Sequence, residues 1–373
     1  MPAQVVRRTG PYSVREVRGV SAGEWDHAVE NSPGGGHVLQ SHAWGEFKRG
    51  HGWRPMHLLL ERDGEVAGTG QFLLYDTVPV PGRMMYCTKG PWLPWEDERA
   101  VRAFFDGAAE IARRERAHTL KIEPEVLAER TDVEGHLRAL GFRDARYDLN
   151  FSTTITLDLS PPEDEILDRM SARSKKGKTT RYNINLARRK GVEVHEPEDF
   201  GWAFDTLFDW MEHLAEAKEG FANRRSREYL RTMMRQMYDA DRGRFFFAFH
   251  DGTPLSGAFI FNFGKKFWFM HGASGTEKRK FQGTYLLQWE VMRWAKSQGI
   301  THCDFVGAPK PEDRNENDPY YGVYRFKMGF GGDIVRYLGC LDLPVKPRLA
   351  TAWYELEPLY YRAYSKLKGD VFY

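Results

Sequence analysis

One strand–turn–strand pattern occurs twice in this chain of 373 residues. The first copy is HLLLERDGEVAGTGQFLLY, which turns at Asp63-Gly64, and the second is FFFAFHDGTPLSGAFIFNF, which turns at Asp251-Gly252. Asp-Gly between two apolar runs predicts a β-hairpin, because glycine adopts the positive φ that such turns need. The chain is therefore predicted to contain one folding unit in two copies.

Each hairpin is followed by a helix pattern, a strand pattern and a short helix that ends at Gly-Phe. The two Gly-Phe pairs are Gly141-Phe142 and Gly329-Phe330. The Asp-Gly and Gly-Phe landmarks share a displacement of 188 residues, from 63 to 251 and from 141 to 329. A shared displacement indicates duplication, and the order of elements predicts an α/β fold with mixed sheets covered by helices.

The boundary between the two copies is predicted near residues 145–160, where Pro161-Pro162 marks a stop. We predict a first domain over residues 1–150, joined by residues 338–373, and a second domain over residues 151–337. The segment RLATAWYELEPLYYRAYSKLKG predicts an amphipathic helix whose aromatic face packs on the first domain. Contact of that face with a membrane surface is the alternative.

The composition is that of a globular protein, with 41% hydrophobic residues and a net charge of +2. No run approaches the roughly 20 apolar residues that span a bilayer, and no signal peptide is indicated. The three cysteines, Cys87, Cys303 and Cys340, have neither paired nor metal-ligand spacing. We therefore expect a cytoplasmic protein with reduced thiols, no metal and no small organic cofactor, and peripheral membrane contact stays compatible with the sequence.

A basic segment runs from Arg173 to Lys190 without any acidic residue. Such a segment suits a phosphate backbone, although charge runs are commonly solvated helix faces. The predicted tRNA-binding residues within it are Arg173, Lys175, Lys176, Lys178 and Arg181, and the same run continues to Arg188, Arg189 and Lys190.

Several local motifs occur along most of the chain in one order. They are QSHAWGEFKRGHGW (40–53), KGP (89–91), ARRKGVEV (187–194), REYL (227–230), FWFMHGAS (267–274), YLLQWEVMRWAK (285–296), CDFVGA (303–308) and YRFKMGFGG (324–332). As a set they resemble the Fem family, the FemABX enzymes of the peptidoglycan interpeptide bridge.

The resemblance implies two tandem acetyltransferase (GNAT)-like domains. It implies transfer of an amino acid from aminoacyl-tRNA to the side-chain amine of a peptidoglycan precursor stem peptide. The acceptor is then UDP-MurNAc-pentapeptide or the lipid-linked precursor. The long coiled-coil arm of part of the family is not expected, because the segment after Phe204 is compact and interrupted by Gly220. The chain thus resembles the short, arm-less members. Binding of tRNA through such an arm is therefore in doubt.

Two residues are candidates for catalysis. Lys327 matches the family's functional lysine, with an oxyanion or tRNA-end function. The residue 188 positions earlier is Ala139, and a core-facing helix position rarely acquires a lysine, so a function special to the second copy is indicated. Glu123 ends the strand HTLKIEP and matches an acidic position that orients or deprotonates the attacking amine. The alternatives are a surface lysine and a solvated carboxylate.

Further residues are candidates for substrate binding by the same resemblance. Lys48, on a helix expected to be capped by Ser41, and Arg225 match a pair that holds the precursor's diphosphate. Arg224 leaves the arginine assignment uncertain by one residue.

The remaining candidates are aromatic or imidazole side chains. Tyr229 is expected to contact sugar or peptide, His271 to bond the precursor or act as a base, and Phe326 to stack on the terminal adenosine. Core packing is the alternative for Tyr229 and His271. Asp304, at a comparable strand end, is expected to hydrogen-bond nearby backbone.

Three other functions remain open at this point. An acyl-CoA-dependent N-acetyltransferase has the same fold, but the nearest segment, KRKFQGTYLLQ (278–288), lacks its glycine pattern. Aminoacyl transfer to protein N-termini uses a related fold and donor. A non-catalytic tRNA- or RNA-binding module would rest on the basic segment alone, without an RNP-type or KH-type signature.

Overall fold

A computed structural model describes residues 3–170, 179–217, 225–275, 279–318, 320–368 and 370–373 of the chain. The strands in this part are β1 (Ala3–Thr9), β2 (Tyr12–Val17), β3 (Arg54–Arg62), β4 (Glu65–Asp76), β5 (Arg83–Cys87), β6 (Ala117–Ile122), β7 (Arg143–Asp144), β8 (Thr153–Asp158), β9 (Glu193–His195), β10 (Gly243–His250), β11 (Thr253–Phe263), β12 (Lys266–Ser274), β13 (His302–Asp304), β14 (Asp333–Arg336) and β15 (Leu341–Pro344).

The helices of the same residues are α1 (Ala22–Glu30), α2 (His42–Arg49), α3 (Glu98–Arg114), α4 (Thr131–Ala139), α5 (Glu163–Arg169), α6 (Thr180–Arg189), α7 (Phe200–Ala217), α8 (Arg227–Asp239), α9 (Gly283–Ser297), α10 (Tyr321–Met328) and α11 (Pro347–Lys368). Several begin at a side chain that accepts a backbone N–H, which satisfies donors that a helix start leaves open. Ser41 caps α2 as expected, Asp97 caps α3 and Ser226 caps α8.

The chain divides into two compact units. Unit 1 comprises Met1–Ser152 and Arg336–Tyr373, and unit 2 comprises Thr153–Val335. The sheet of unit 1 has the strand order β1-β2-β3-β4-β5-β6-β15-β7, and that of unit 2 has the order β14-β8-β13-β12-β11-β10-β9. Each contains an antiparallel hairpin followed by a parallel pair, β5 with β6 and β12 with β13.

The two predicted hairpin turns are confirmed. Asp63 and Gly64 have φ of 52° and 95°, and Asp251 and Gly252 have φ of 49° and 70°. These left-handed values favour glycine and are tolerated by aspartate, which explains the sequence at both turns.

In unit 1 the main core lies between the sheet and α3. Successive side chains of β3 point alternately into this core and to the other face of the sheet. Leu58 and Leu60 are fully buried in this core, whereas His57 contacts the ring of Trp25 in α1 at a centroid distance of 4.4 Å. Helix α11 also packs on β6 and β15, and its Trp353 is buried. The unit-1 sheet therefore carries helices on both faces.

Unit 2 repeats this layering. Phe246 of β10 packs against Trp294 of α9 at 5.2 Å between ring centroids, and its neighbour Phe245 packs against Phe200 of α7 at 5.4 Å. Adjacent residues of a strand point to opposite faces, so α9 and α7 cover opposite sides of the sheet.

Candidate functional site

Two parallel strands of unit 2 separate at their carboxyl ends. β12 and β13 are paired only from Lys266 with His302 to Trp268 with Asp304. Beyond this point Met270 is an extra residue in β12, because its neighbours Phe269 and His271 pair with consecutive residues of β11. Such a bulge bends a strand and is frequent next to active sites. The separation leaves a gap at the sheet edge where open α/β folds bind ligands.

A cavity of about 530 Å³ occupies this gap. It is lined by residues 269–274 of β12, by Thr284, Leu287 and Gln288 on one face of α9, and by residues of the loop after β13 and of α10. Three residues proposed from the sequence line it together: His271, Phe326 and Lys327.

Lys327 is anchored to the loop that follows β13. Its Nζ donates hydrogen bonds to the carbonyl oxygens of Val306, at 2.6 Å, and Gly307, at 2.8 Å. Both residues have left-handed backbone, with φ of 50° and 78°. A lysine ammonium has three N–H donors, so one donor remains beyond these two bonds.

Burial lowers the pKa of Lys327 to about 8, against the opposing effect of the nearby Asp304 carboxylate. The side chain is therefore mostly protonated at pH 7. Asp304 accepts hydrogen bonds from Thr154 Oγ1 at 2.5 Å and from the backbone N–H of Val306 at 2.6 Å, as expected for a structural carboxylate. Ala139, the counterpart of Lys327 by displacement, is exposed, so the expectation that this helix position faces the core was wrong.

His271 is half-buried at the cavity wall. Burial, and to a smaller extent the charge of Arg225, lowers the pKa of its imidazole to about 4. The ring is therefore neutral at pH 7, with one nitrogen able to accept a hydrogen bond.

Arg225 and Tyr229 lie at the start of α8. The guanidinium of Arg225 lies over the Tyr229 ring, 4.4 Å from its centroid, and the ring is buried. Tyr229 thus supports Arg225 by stacking, and the charge of Arg225 contributes to the low pKa of His271. Arg224 lies outside the described residues.

Phe326 is half-buried, and its ring contacts Tyr285 and Phe330 at centroid distances of 5.1 and 5.2 Å. These neighbours fix the ring while it lines the cavity. An aromatic ring held in this way suits stacking on a planar ligand.

Glu123 is neither a solvated carboxylate nor an accessible base in this structure. It is 2% exposed, and its oxygens accept hydrogen bonds from Tyr86 Oη at 2.7 Å and from both nitrogens of Asn150, at 3.0 and 2.6 Å. The sequence could not show this, because Asn150 is distant along the chain. The carboxylate closes a polar cluster within unit 1.

Lys48 is also enclosed, which corrects the expectation of a basic side chain open to a diphosphate. It is 1% exposed, and its Nζ lies 3.8 Å from the ring centroid of Tyr373, 5.5 Å from that of Trp44 and 5.6 Å from that of Trp53. Lysine is rarely so buried without partners that offset desolvation, and these aromatic faces supply cation–π stabilisation.

The basic segment is described only in part. Arg173, Lys175, Lys176 and Lys178 lie outside the described residues. Arg181 is exposed and pairs with Asp168, and Arg188 pairs with Glu290 at 2.7 Å. These two positive charges are therefore partly neutralised, and their role in tRNA binding stays a prediction.

Gln288 is a cavity residue that was missed from the sequence. It is 8% exposed, and its Oε1 has no hydrogen-bond partner. The available signal was its spacing: Thr284, Leu287 and Gln288 follow the helical period that puts residues on one face of α9.

Comparison with known proteins gives relatives for both units. The model of the acetyltransferase (GNAT) domain matches residues 174–327. The lipid II:glycine glycyltransferase of Staphylococcus aureus (strain USA300) is 25% identical, over 88% of this chain and 95% of the relative. The crystal structure of FemX matches with a TM-score of 0.80 and 22% identity, over 91% of this chain and 99% of that chain.

The resemblance to the Fem family is confirmed. The predicted tandem GNAT-like fold and the assignment as an aminoacyltransferase are confirmed with it. A more distant fold neighbour of this Fem-like chain is L-PGS from Bacillus licheniformis, with a TM-score of 0.50 and 12% identity over 90% of this chain and 95% of that one. The relatives support amino acid transfer in peptidoglycan bridge formation as the class of reaction.

Two further observations concern the described residues of this Fem-like chain. None of their helices is long and apolar enough to cross a membrane. Nor do they contain a group of three or more His, Cys, Asp or Glu side chains placed to hold a metal ion.

Proposed function

We propose that the chain transfers the aminoacyl group of an aminoacyl-tRNA to the side-chain amine of a peptidoglycan precursor stem peptide. The observation that carries this proposal is the position of Lys327: two backbone carbonyls hold its Nζ at the cavity wall. As an ammonium it has one N–H donor beyond these two bonds. The glycyltransferase relative, named for lipid II, supports a lipid-linked acceptor. Such an acceptor would bring the protein to a membrane surface.

The chemistry needs no covalent enzyme intermediate, because the ester of aminoacyl-tRNA is already activated. The acceptor amine attacks the ester carbonyl, a C–N bond forms and the C–O bond to the ribose breaks. Negative charge develops on the carbonyl oxygen in the tetrahedral transition state. The third N–H of Lys327 stabilises this oxyanion, a contribution of about 10²–10³ in rate for a well-placed donor.

The acceptor enters as an ammonium and loses one proton to solvent before it attacks. A second proton must leave the nitrogen and reach the departing ribose oxygen as the amide forms. The neutral imidazole of His271 accepts a hydrogen bond from the amine and does not retain the proton, because its pKa is about 4. The departing ribose oxygen takes up this second proton as the C–O bond breaks, and so becomes a hydroxyl. His271 therefore serves as an acceptor that orients the amine.

The large substrates need separate contacts. Phe326 stacks on the terminal adenine of the donor, and the basic segment that includes Arg181 attracts its phosphates. Arg225, which stacks on Tyr229, presents its planar guanidinium to the phosphates of the acceptor. Lys48 and Glu123 have no direct task in this scheme, because both are enclosed within unit 1.

The test is reconstituted transfer with purified components. tRNA charged with radiolabelled glycine, alanine or serine is combined with UDP-MurNAc-pentapeptide or with lipid-linked precursor. The proposal expects label to move from one charged tRNA to one precursor. Turnover of acetyl-CoA with a small amine, without transfer from any charged tRNA, would instead establish an N-acetyltransferase.

A further inference from the structure

One side chain that lines the cavity of unit 2 has a hydrogen-bond acceptor without a partner. Gln288 is 92% buried, as its 8% exposure shows, yet its Oε1 has no hydrogen-bond partner and its residue lines the cavity. Buried polar atoms are nearly always paired, because an unpaired one carries the full cost of desolvation. An orphaned acceptor at a cavity wall therefore indicates a ligand that donates to it.

The helix α9 gives this acceptor a fixed position. Thr284, Leu287 and Gln288 are spaced by three and four residues, so they lie on one face, and that face lines the cavity. Leu287 is 1% exposed and packs in the core of unit 2, which holds the helix against the sheet. Gln288 is thus presented by a rigid element to the cavity that contains Lys327.

The two polar groups together define the ligand's chemistry. Lys327 offers an N–H donor, which suits a carbonyl or oxyanion, whereas Gln288 offers a neutral oxygen, which suits an N–H donor. A group that carries an ammonium on the carbon next to its carbonyl meets both requirements. A neutral amide oxygen accepts a hydrogen bond from an ammonium and leaves the charge of Lys327, which lines the same cavity, unchanged.

We propose that Gln288 Oε1 accepts a hydrogen bond from the α-ammonium group of the transferred aminoacyl residue. Gln288 is then a specificity-determining residue that selects donors with a free α-amine and rejects N-acylated ones. This inference rests on the proposed function, since it assigns one part of the donor to one part of the same cavity.

The test uses a stable donor analogue in which glycine is joined through an amide to 3′-amino-3′-deoxyadenosine. Binding of this compound and of its N-acetyl derivative is measured by calorimetry on the full chain. The wild type is expected to prefer the free amine by about tenfold to a hundredfold, the range for hydrogen bonds to charged groups. Gln288→Leu is expected to lose this preference, and Gln288→Glu to keep it.

Gln298→Leu is the matched control, because Gln298 caps the other end of α9 and is exposed. It should bind both compounds as the wild type does. Thermal unfolding without ligand provides a check on folding: Gln288→Leu should be at least as stable as the wild type, since it removes an unpaired buried oxygen.

Two results would overturn the inference alone: equal binding of both compounds by the wild type, or a preserved preference in Gln288→Leu. In either case, transfer of label from aminoacyl-tRNA by the same preparation would leave the proposed function standing. If neither compound binds and no label is transferred, both proposals fail.

Discussion

The Nζ of Lys48 lies 3.8 Å from the ring centroid of Tyr373, near the opposite end of the sequence. Tyr373 is 6% exposed, and its hydroxyl accepts a hydrogen bond of 2.9 Å from Trp44 Nε1. Phe372 packs beside it, 5.3 Å from Trp53 between ring centroids. Residues 372 and 373 therefore help to seal the lysine that the family resemblance had assigned to a diphosphate.

Opening this enclosure should expose Lys48. In the wild type we expect Lys48 to react with an acetylating reagent much more slowly than the exposed Lys366, as measured by mass spectrometry of peptides. Tyr373→Ser should raise the rate at Lys48 and leave that at Lys366 unchanged. It should also cost about 3 kcal/mol of stability, near the lower end for loss of a buried aromatic ring. Equal rates at both lysines in the wild type would contradict the enclosure.

A second buried lysine makes a different prediction. Lys121 Nζ lies 2.9 Å from Asp342 Oδ1 and 3.4 Å from Glu357 Oε1, and all three side chains are at most 2% exposed. Lys121→Met leaves two carboxylates without their cation, so we expect a loss of about 3–5 kcal/mol in urea unfolding. The triple variant Lys121→Met, Asp342→Leu, Glu357→Leu should recover most of it. A single variant as stable as the wild type would show that the ion cluster is not formed.

Stability should also fall in acid, through histidines that are buried in the neutral state. Burial, with a smaller effect of Lys346, lowers the pKa of His118 to about 4 from its ordinary 6.5. The pKa of His118 is lower in the folded protein than in the unfolded chain. The stability that depends on its neutral form is therefore fully present above pH 6.5 and is lost as the pH falls to 4. At about 1.4 kcal/mol per pH unit, this amounts to roughly 3 kcal/mol.

The measurement is the free energy of unfolding at pH values from 7 to 4. His118→Gln should flatten this dependence, because glutamine can still bond Thr77 but does not titrate. His302→Gln, at an exposed position, is the control and should follow the wild type. Parallel curves for all three proteins would show that His118 is not the titrating group.

The pH dependence of transfer should reflect Lys327. With a pKa of about 8, its ammonium is lost as the pH rises through that value, so the rate should fall above pH 8. Lys327→Arg keeps its charge to higher pH and should shift this fall upward, with a lower maximal rate because the guanidinium has a different shape. An unchanged alkaline limb in the arginine variant would assign the limb to another group.

The sequence was sufficient for features that depend on neighbours along the chain. The Asp-Gly turns follow from local backbone preference, and Ser41 begins α2 because its side chain accepts a hydrogen bond from the Trp44 N–H. The Gly-Phe landmarks mark equivalent core positions, since Phe142 and Phe330 are 3% and 0% exposed. Such features need no knowledge of distant contacts.

Features that depend on distant contacts were missed. Asn150 covers Glu123, and Tyr373 covers Lys48. Neither contact leaves a pattern in the sequence around these residues. The cavity itself results from a bulge at Met270 and from left-handed backbone at Val306, a β-branched residue that rarely adopts it. Sequence matching selected Lys327 and His271, and both line this cavity, but nothing in the sequence indicated that a cavity exists there.

The most direct test of the account is a single-turnover transfer assay that compares Lys327→Met with Lys296→Met. Lys296 is a matched control, because its Nζ also donates to two backbone carbonyls, those of Leu159 and Pro161. It lies near the C-terminal end of α9, whereas the cavity-lining residues lie near the N-terminal end. We expect a rate about 10²–10³ lower for Lys327→Met and a nearly unchanged rate for Lys296→Met. Equal rates for the two variants would contradict a catalytic role for Lys327.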